Sequence, residues 1–347
     1  MCNRVSLYEK LEELRDGKLI VYITGDKRDF ATQISQDAFD YFVNHLDKMN
    51  RQKKIILFLY TRGGDTLAGW SIINLIRQFC EKLEIIIPSK AHSTGTLMAL
   101  GANSIIMTKQ ATLGPIDPSV NGALNPIIKD IPPPYNRVPV SVEAIKGFIE
   151  LAKDEVGIKD DISLSNIFIK LATEVHPLVL GDVYRARAQI KMLAERLIKN
   201  QTDDYRIQEK IINFLTSEAG SHDYTINRRE AKELGLNINI PNEEEYENIK
   251  SIYDDISLEL QLNTPFDPFS ILLSNNKAEY NIHRILIESV LGGKDIYLSK
   301  GTLNRIRLKM PIINNMLPFV NSNIMQEDIE QIQNIIKFEG WKHEEHK

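Results

Sequence analysis

The chain has 347 residues, 43% of them hydrophobic and 26% charged, with a formal net charge of −5 at pH 7. That content suffices for a full core and excludes a disordered chain, and the slightly acidic balance without a basic stripe argues against a nucleic-acid partner. Two cysteines, Cys2 and Cys80, exclude a disulfide framework and a Cys/His zinc cluster, so a reducing cytoplasmic setting and no cofactor or metal are expected.

The chain opens on a polar, helix-like stretch from Leu7 to Leu14 that lacks the apolar region of a signal peptide. The longest apolar runs fall far below the length that spans a bilayer, so a soluble protein with no membrane association is expected. Lys18-Leu-Ile-Val-Tyr-Ile-Thr24 reads as a strand ending at Gly25, and Ile34 to Met49 has the period of a helix. Lys54-Ile-Ile-Leu-Phe-Leu-Tyr60 is a buried strand ended by Gly63-Gly64, after which Leu67, Ala68, Ile72, Ile73, Leu75, Ile76 and Phe79 recur at helical spacing. Glu84-Ile-Ile-Ile-Pro88 is the next strand, and it leads to Ser93 at the start of a helix containing Gly95, Ala99, Gly101 and Ala102. This alternation through Met107 predicts βαβ units and a largely parallel sheet.

The two junctions carry the chemistry. Glycines at a strand-to-helix handover let bare N–H groups approach a ligand, and a helix N-terminus favours developing negative charge. A serine hydroxyl is a poor nucleophile at neutral pH, and the oxyanion formed when it attacks a carbonyl needs donors already aimed at it. Ser93 is the candidate nucleophile, Gly63-Gly64 the candidate oxyanion turn, and the N–H groups of Gly64 and Thr94 its natural donors. A serine that only caps a helix would look the same in sequence.

Gly63-Gly-Asp65, Ser93-Thr-Gly95, Leu113-Gly-Pro-Ile-Asp-Pro118 and the run from His222 to Leu236 together resemble the serine dehydrogenase proteinase family of the ClpP/crotonase superfamily, over roughly Leu19 to Leu236. The resemblance implies a ClpP-like α/β spiral and hydrolysis of peptide bonds through a serine, a protein or peptide as substrate, and homo-oligomerisation; the family name implies no dehydrogenase activity. By position Ser93 matches the family's serine and Gly63-Gly64 its oxyanion glycines. ClpP-type proteases carry a histidine in the loop where this chain has Asp117. Related signal peptide peptidases use a lysine, for which Lys146 stands in a comparable stretch, and His222 falls near the place of the ClpP-type triad acid. Two arrangements follow as expectations: a Ser93–His222 pair oriented by Asp117, or a Ser93–Lys146 dyad, the latter requiring a lysine desolvated enough to act as a base.

The proline-rich loop from Gly114 to Pro139 is long enough to line a substrate groove beside Ser93 or to be a rigid surface excursion. From Ser141 to Phe214 the pattern is helical, with Ser163 a candidate cap and Val183, Ala186, Ile190, Leu193, Ala194 and Leu197 on one face, suited to a subunit interface or to the chain's own sheet. His176, before Pro177, reads as a helix boundary, and His45, His283, His343 and His346 as surface or capping residues. Pro241 and the acidic run Glu243–Glu247 divide residues 1–239, the protease-like domain, from an appendage at 240–347 expected to be α-leaning and of unassigned role. A crotonase-like acyl-CoA enzyme would use the same glycine turn but acidic groups in place of Ser93. A catalytically silent scaffold, or a protease gated by a regulatory partner, would keep the fold without the loop histidine. The chain has no P-loop of its own.

Overall fold

The apolar runs of the N-terminal half form strands buried on both faces of a sheet. The computed structural model describes residues 4–116, 119–129, 131, 136–219, 221, 223–311 and 326–346. In chain order the elements are α1 (Arg4–Arg15), β1 (Lys18–Thr24), α2 (Phe39–Met49), β2 (Gln52–Tyr60), α3 (Thr66–Gln78), β3 (Cys80–Ile87), β4 (Lys90–Ala91), α4 (Thr94–Leu100), β5 (Ser104–Met107) and β6 (Thr112–Leu113). They continue with β7 (Ser119–Val120), β8 (Val140–Ser141), α5 (Val142–Glu150), α6 (Asp161–Glu174), α7 (Pro177–Leu197), α8 (Tyr205–Asn213), β9 (Ile226–Asn227), α9 (Arg228–Leu234) and β10 (Ile238–Asn239). The last are α10 (Glu243–Glu259), α11 (Pro268–Leu272), β11 (Lys277–Ser289), β12 (Gly293–Pro311) and β13 (Gln326–Glu344).

The main sheet has the order β10-β5-β3-β2-β1-β11-β12-β13. Its first five strands pair in parallel and the last three antiparallel. The α/β class and the parallel βαβ half agree with the sequence expectation. Side chains alternate across the sheet: in β1, Ile20 and Tyr22 join the core beneath α2, α3, α4 and α7, whereas Leu19, Val21 and Ile23 join a second core with Tyr8 and Leu11 of α1 and Ile249, Ile252 and Ile256 of α10. Every residue of α4 is buried, so truncating Leu97 to alanine there would cost about 2–5 kcal/mol.

The region after Pro241 differs from its α-leaning expectation. It contains the long α10, but then three long strands, and β11 hydrogen-bonds β1 from Val21↔Glu288 to Thr24↔Ile285. Polar residues interleaved along these strands hide their period, and pairing with β1 arises between segments some 260 residues apart, which local sequence does not encode. The cap of α6 is Asp160, whose carboxylate accepts from Ser163 N–H at 2.8 Å, so Ser163 lies inside the helix rather than capping it. Of the predicted face of α7, Val183, Ile190, Leu193, Ala194 and Leu197 are buried and Ala186 is half-buried, and Val179 is buried as well. His176 does cap that helix, its ring accepting from Leu178 N–H.

His45 is the other correction. It is fully buried, with Nδ1 2.6 Å from Ser289 Oγ and Nε2 3.0 Å from Asp295 Oδ2. It shares the inner face of α2 with Phe42, Leu46 and Met49, and its partners come from β11 and β12. His283 contacts Glu259, His343 contacts Asp295 and Glu345, and His346 contacts the Ser289 carbonyl. Among the described residues no helix is long and apolar enough to cross a membrane.

Candidate active site

The carboxyl ends of β2 and β3 lie side by side, and the chain leaving each one forms half of the site. After β2, Thr61 donates its N–H to Lys90 O and its carbonyl accepts from His92 N–H, so the exit of β2 is stitched to the segment that leads into α4. The two glycines that follow have φ of +117° at Gly63 and +146° at Gly64, a region side chains rarely adopt. A Cβ on Gly63 would stand 2.8 Å from Ser93 Cβ and 3.3 Å from Ser93 Oγ. The turn therefore lies directly against the serine.

Ser93 precedes α4 with φ 51° and ψ −115°, a strained conformation for a residue with a side chain. It is half-buried and its hydroxyl makes no cap bond to α4, so the capping role open to a serine here is not filled. Among the described residues Ser93 Oγ has no hydrogen-bond partner. His92 is held aside, Nε2 bonding Thr112 Oγ1 at 2.9 Å with its ring packed on Gly114.

The direction of the glycine amides follows from their partners. Ile34 N–H donates to Gly63 O at 2.9 Å and Asp65 N–H donates to Ile34 O at 2.8 Å. In such a parallel bridge the groups of the intervening residue point the other way. Gly64 thus turns its N–H and C=O toward α4, where Thr94 Oγ1 donates to the Gly64 carbonyl at 2.6 Å. Gly63 N–H donates to Thr61 Oγ1 at 3.0 Å. Among the described residues neither Gly64 N–H nor Thr94 N–H has a partner. Asp65 caps α3 by accepting from Ala68 N–H.

Behind the turn, Asp26 accepts from Tyr60 at 3.0 Å and from Lys90 at 2.9 Å. Burial, with Tyr253 and Asp26 adding to it, holds the Tyr60 phenol far above its ordinary range, so it stays a donor. Thr24 and Thr61 share a 2.7 Å hydroxyl–hydroxyl bond beneath the glycines. Thr61 and Ile34 were not singled out from sequence; the threonine two residues before a glycine, a common side-chain turn motif, was the available signal.

Of the expected bases, Lys146 lies on α5 with Nζ 3.8 Å from Glu143 and 3.5 Å from Glu150. Asp117 and His222 lie outside the described residues. The segment after Gly114 starts beside His92 and returns through the β7–β8 pair and an Ile127↔Arg137 bridge. Among the described residues no group of three or more His, Cys, Asp or Glu side chains could hold a metal ion.

Residues 38–132 match the ClpP-like SDH-type serine proteinase family. The match spans the glycine turn, Ser93 and the Leu113–Pro118 loop, bears out the resemblance seen in the sequence, and stops before Lys146 and His222. Two uncharacterized proteins of Methanocaldococcus jannaschii are each 30% identical to the chain, one over 196 residues (56% of this chain, 57% of the relative) and one over 185 (53% and 52%). The chain thus spans about half the length of these relatives. Among solved structures it is similar to a 1510-N membrane-bound stomatin-specific protease in complex with a substrate peptide (18% identity, TM-score 0.37, 66% of this chain and 78% of that one). It is also similar to a ClpP1 from Listeria monocytogenes (14% identity, TM-score 0.37, 68% and 99%). Scores this low carry no functional inference.

Proposed function

We propose that the protein is a serine peptidase in which Ser93 is the nucleophile and the N–H groups of Gly64 and Thr94 form the oxyanion hole, with Gly63 supplying the clearance. The observation that supports it best is the strained Ser93, making no cap bond and packed on Gly63, with the N–H groups of Gly64 and Thr94 unpartnered among the described residues. Ser93 Oγ attacks the peptide carbonyl, and negative charge develops on its oxygen between the two amides. The serine proton passes to a base and then to the departing amine as the C–N bond breaks. Water hydrolyses the resulting acyl-serine. Each amide donor contributes about 3 kcal/mol to the transition state.

For the base we favour His222, oriented by Asp117, over Lys146. The ammonium of Lys146 is already paired with two glutamates of its own helix, at 3.8 Å from Glu143 and 3.5 Å from Glu150. Loss of activity in His222→Ala with retention in Lys146→Ala supports this assignment, and the reverse pattern replaces it with the dyad. The substrate is a protein or peptide, and no cofactor is needed for this chemistry. Exposed Phe168, Ile169 and Tyr184 on α6 and α7 support assembly with further copies of the chain, and a regulatory partner is compatible with the same site. We place the protein in the cytoplasm, and assign residues 1–239 to the peptidase and 240–347 to an appendage whose strands continue its sheet.

The test is fluorophosphonate labelling of purified protein beside Ser93→Ala, read by intact mass. Labelling lost only in the variant supports an activated serine. Absence of labelling in wild type at every assembly state would favour a catalytically silent scaffold, and labelling kept in Ser93→Ala would move the nucleophile elsewhere.

A further inference from the structure

Two threonine hydroxyls converge on the glycine turn, one from each half of the site. Thr61 Oγ1 accepts from Gly63 N–H at 3.0 Å, and Thr94 Oγ1 donates to Gly64 O at 2.6 Å. Both side chains are buried, at 0% and 1% exposure, so neither bond is shared with solvent. Their methyl groups are wedged as well: a Cβ on Gly95 would meet Thr61 Cγ2 at 2.5 Å, and one on Gly69 would meet Thr94 Cγ2 at the same distance. Each threonine is therefore fixed in orientation by glycines that make room for its methyl, and is bonded to the turn through its hydroxyl.

We infer that Thr61 and Thr94 are positioning residues that select which glycine amide faces the nucleophile. A turn of two glycines constrains its flanking peptide planes little through sterics, so hydroxyl bonds to those planes add order that the residues themselves do not supply. The Thr61 hydroxyl draws the Gly63 N–H away. The Thr94 hydroxyl holds the Gly64 carbonyl on the α4 side, and the Ile34 bridge fixes the opposite edge. The Ile34 N–H on Gly63 O orients the Gly63–Gly64 peptide, and the two hydroxyls hold the peptides on either side of it, which leaves the Gly64 N–H as the glycine donor of the turn without a partner among the described residues. Thr94 also ties the two halves of the oxyanion hole to each other, because its own N–H is the second donor. The hole is thus preset before substrate arrives, which is the condition for electrostatic stabilisation of a developing charge.

This inference deepens the peptidase reading and rests on it for its kinetic arm; a structural arm separates the two. Thr94→Val and Thr61→Val keep the branched shape and remove the hydroxyl, and Thr94→Ser and Thr61→Ser keep the hydroxyl. The valine variants should lower kcat or the fluorophosphonate labelling rate by about 10- to 100-fold with KM changed less than about threefold, and the serine variants should recover most of the rate. A purely structural role would lower the fraction of folded protein, leaving the rate per folded molecule unchanged. In crystal structures the Arg62–Gly63 peptide should be rotated or split between conformers in Thr61→Val, and the Gly64–Asp65 peptide in Thr94→Val. Valine variants that react at the wild-type rate, or that keep these peptides unmoved, overturn the inference. If wild type fails to label yet the peptide rotates in Thr94→Val, the peptidase reading falls and the positioning role stands.

Discussion

Among the described residues Ser289 and Ser93 each lie near a histidine, and they are built oppositely. Ser289 Oγ lies 2.6 Å from His45 Nδ1 and accepts from Gly292 N–H at 2.9 Å, and His45 Nε2 meets Asp295 at 3.0 Å. Serine, histidine and aspartate are thus in the connectivity of a hydrolytic triad, yet Ser289 and His45 are fully buried and Asp295 nearly so. Ser93 is half-buried on a strained backbone, and among the described residues its hydroxyl and the N–H groups of Gly64 and Thr94 have no partner. The contrast teaches that order of residue types is a poor guide to chemistry. A satisfied polar network stabilises a fold, while a nucleophile needs access and donors left free for the transition state.

The comparison breaks most sharply at the serines themselves. Ser93→Ala should abolish fluorophosphonate labelling and lower peptidase turnover by about 10³-fold or more, whereas Ser289→Ala should leave the labelling rate per folded molecule intact and cost about 1–3 kcal/mol in denaturant unfolding. Labelling that followed Ser289 would invert the two assignments. His45→Ala should be the most damaging of these variants to stability, about 3–5 kcal/mol, because it leaves the buried Asp295 and Ser289 short of a partner. Thermal denaturation measures it, and a Tm within a degree or two of wild type would show the network to be expendable.

On the reactive side, Gly64→Ala would put a Cβ 2.3 Å from Ile34 O at a φ of +146°. It should lose labelling and also about 2 kcal/mol of stability, so the same substitution registers in both assays. A stable, active Gly64→Ala protein would show that the turn does not need its bare backbone.

The smallest effect lies back on the sealed side and is confined to a pH window. Burial alone would raise the Glu259 carboxyl, but bonds from His283, Arg4 and Lys294 outweigh it and hold the group well below the usual carboxylate range. A carboxyl lowered on folding contributes stability above its unfolded value and loses it as the pH falls toward its folded value. Glu259→Gln should therefore be less stable than wild type by about 1–2 kcal/mol above roughly pH 5, and the two should converge as the pH drops further. Melting curves from pH 3 to 8 that ran parallel would remove Glu259 from the acid response.

Strand β1 was legible to the residue, and β2, α3 and the placement of Ser93 before a small-residue helix nearly so, because continuous apolar runs between breakers have one reading when both faces are buried. The C-terminal strands were not: in β11, Tyr280 and Ile282 are separated by Asn281, and the pattern becomes meaningful only once β1 supplies the pairing edge. His45 read as a surface residue because its partners lie some 245 residues away. Thr61 and the hydroxyl of Thr94, a residue singled out only for its N–H, were passed over for the same reason at shorter range, since a hydroxyl declares its role only when its acceptor or donor has been brought to it.

From sequence alone came the α/β alternation, the glycine turn and the candidate nucleophile, all properties of adjacent residues set by backbone sterics and local burial. Tertiary structure decided which amides stay unbonded, which serine is sealed and which strands complete the sheet, because hydrogen-bond satisfaction depends on groups that only folding brings within 3 Å of one another.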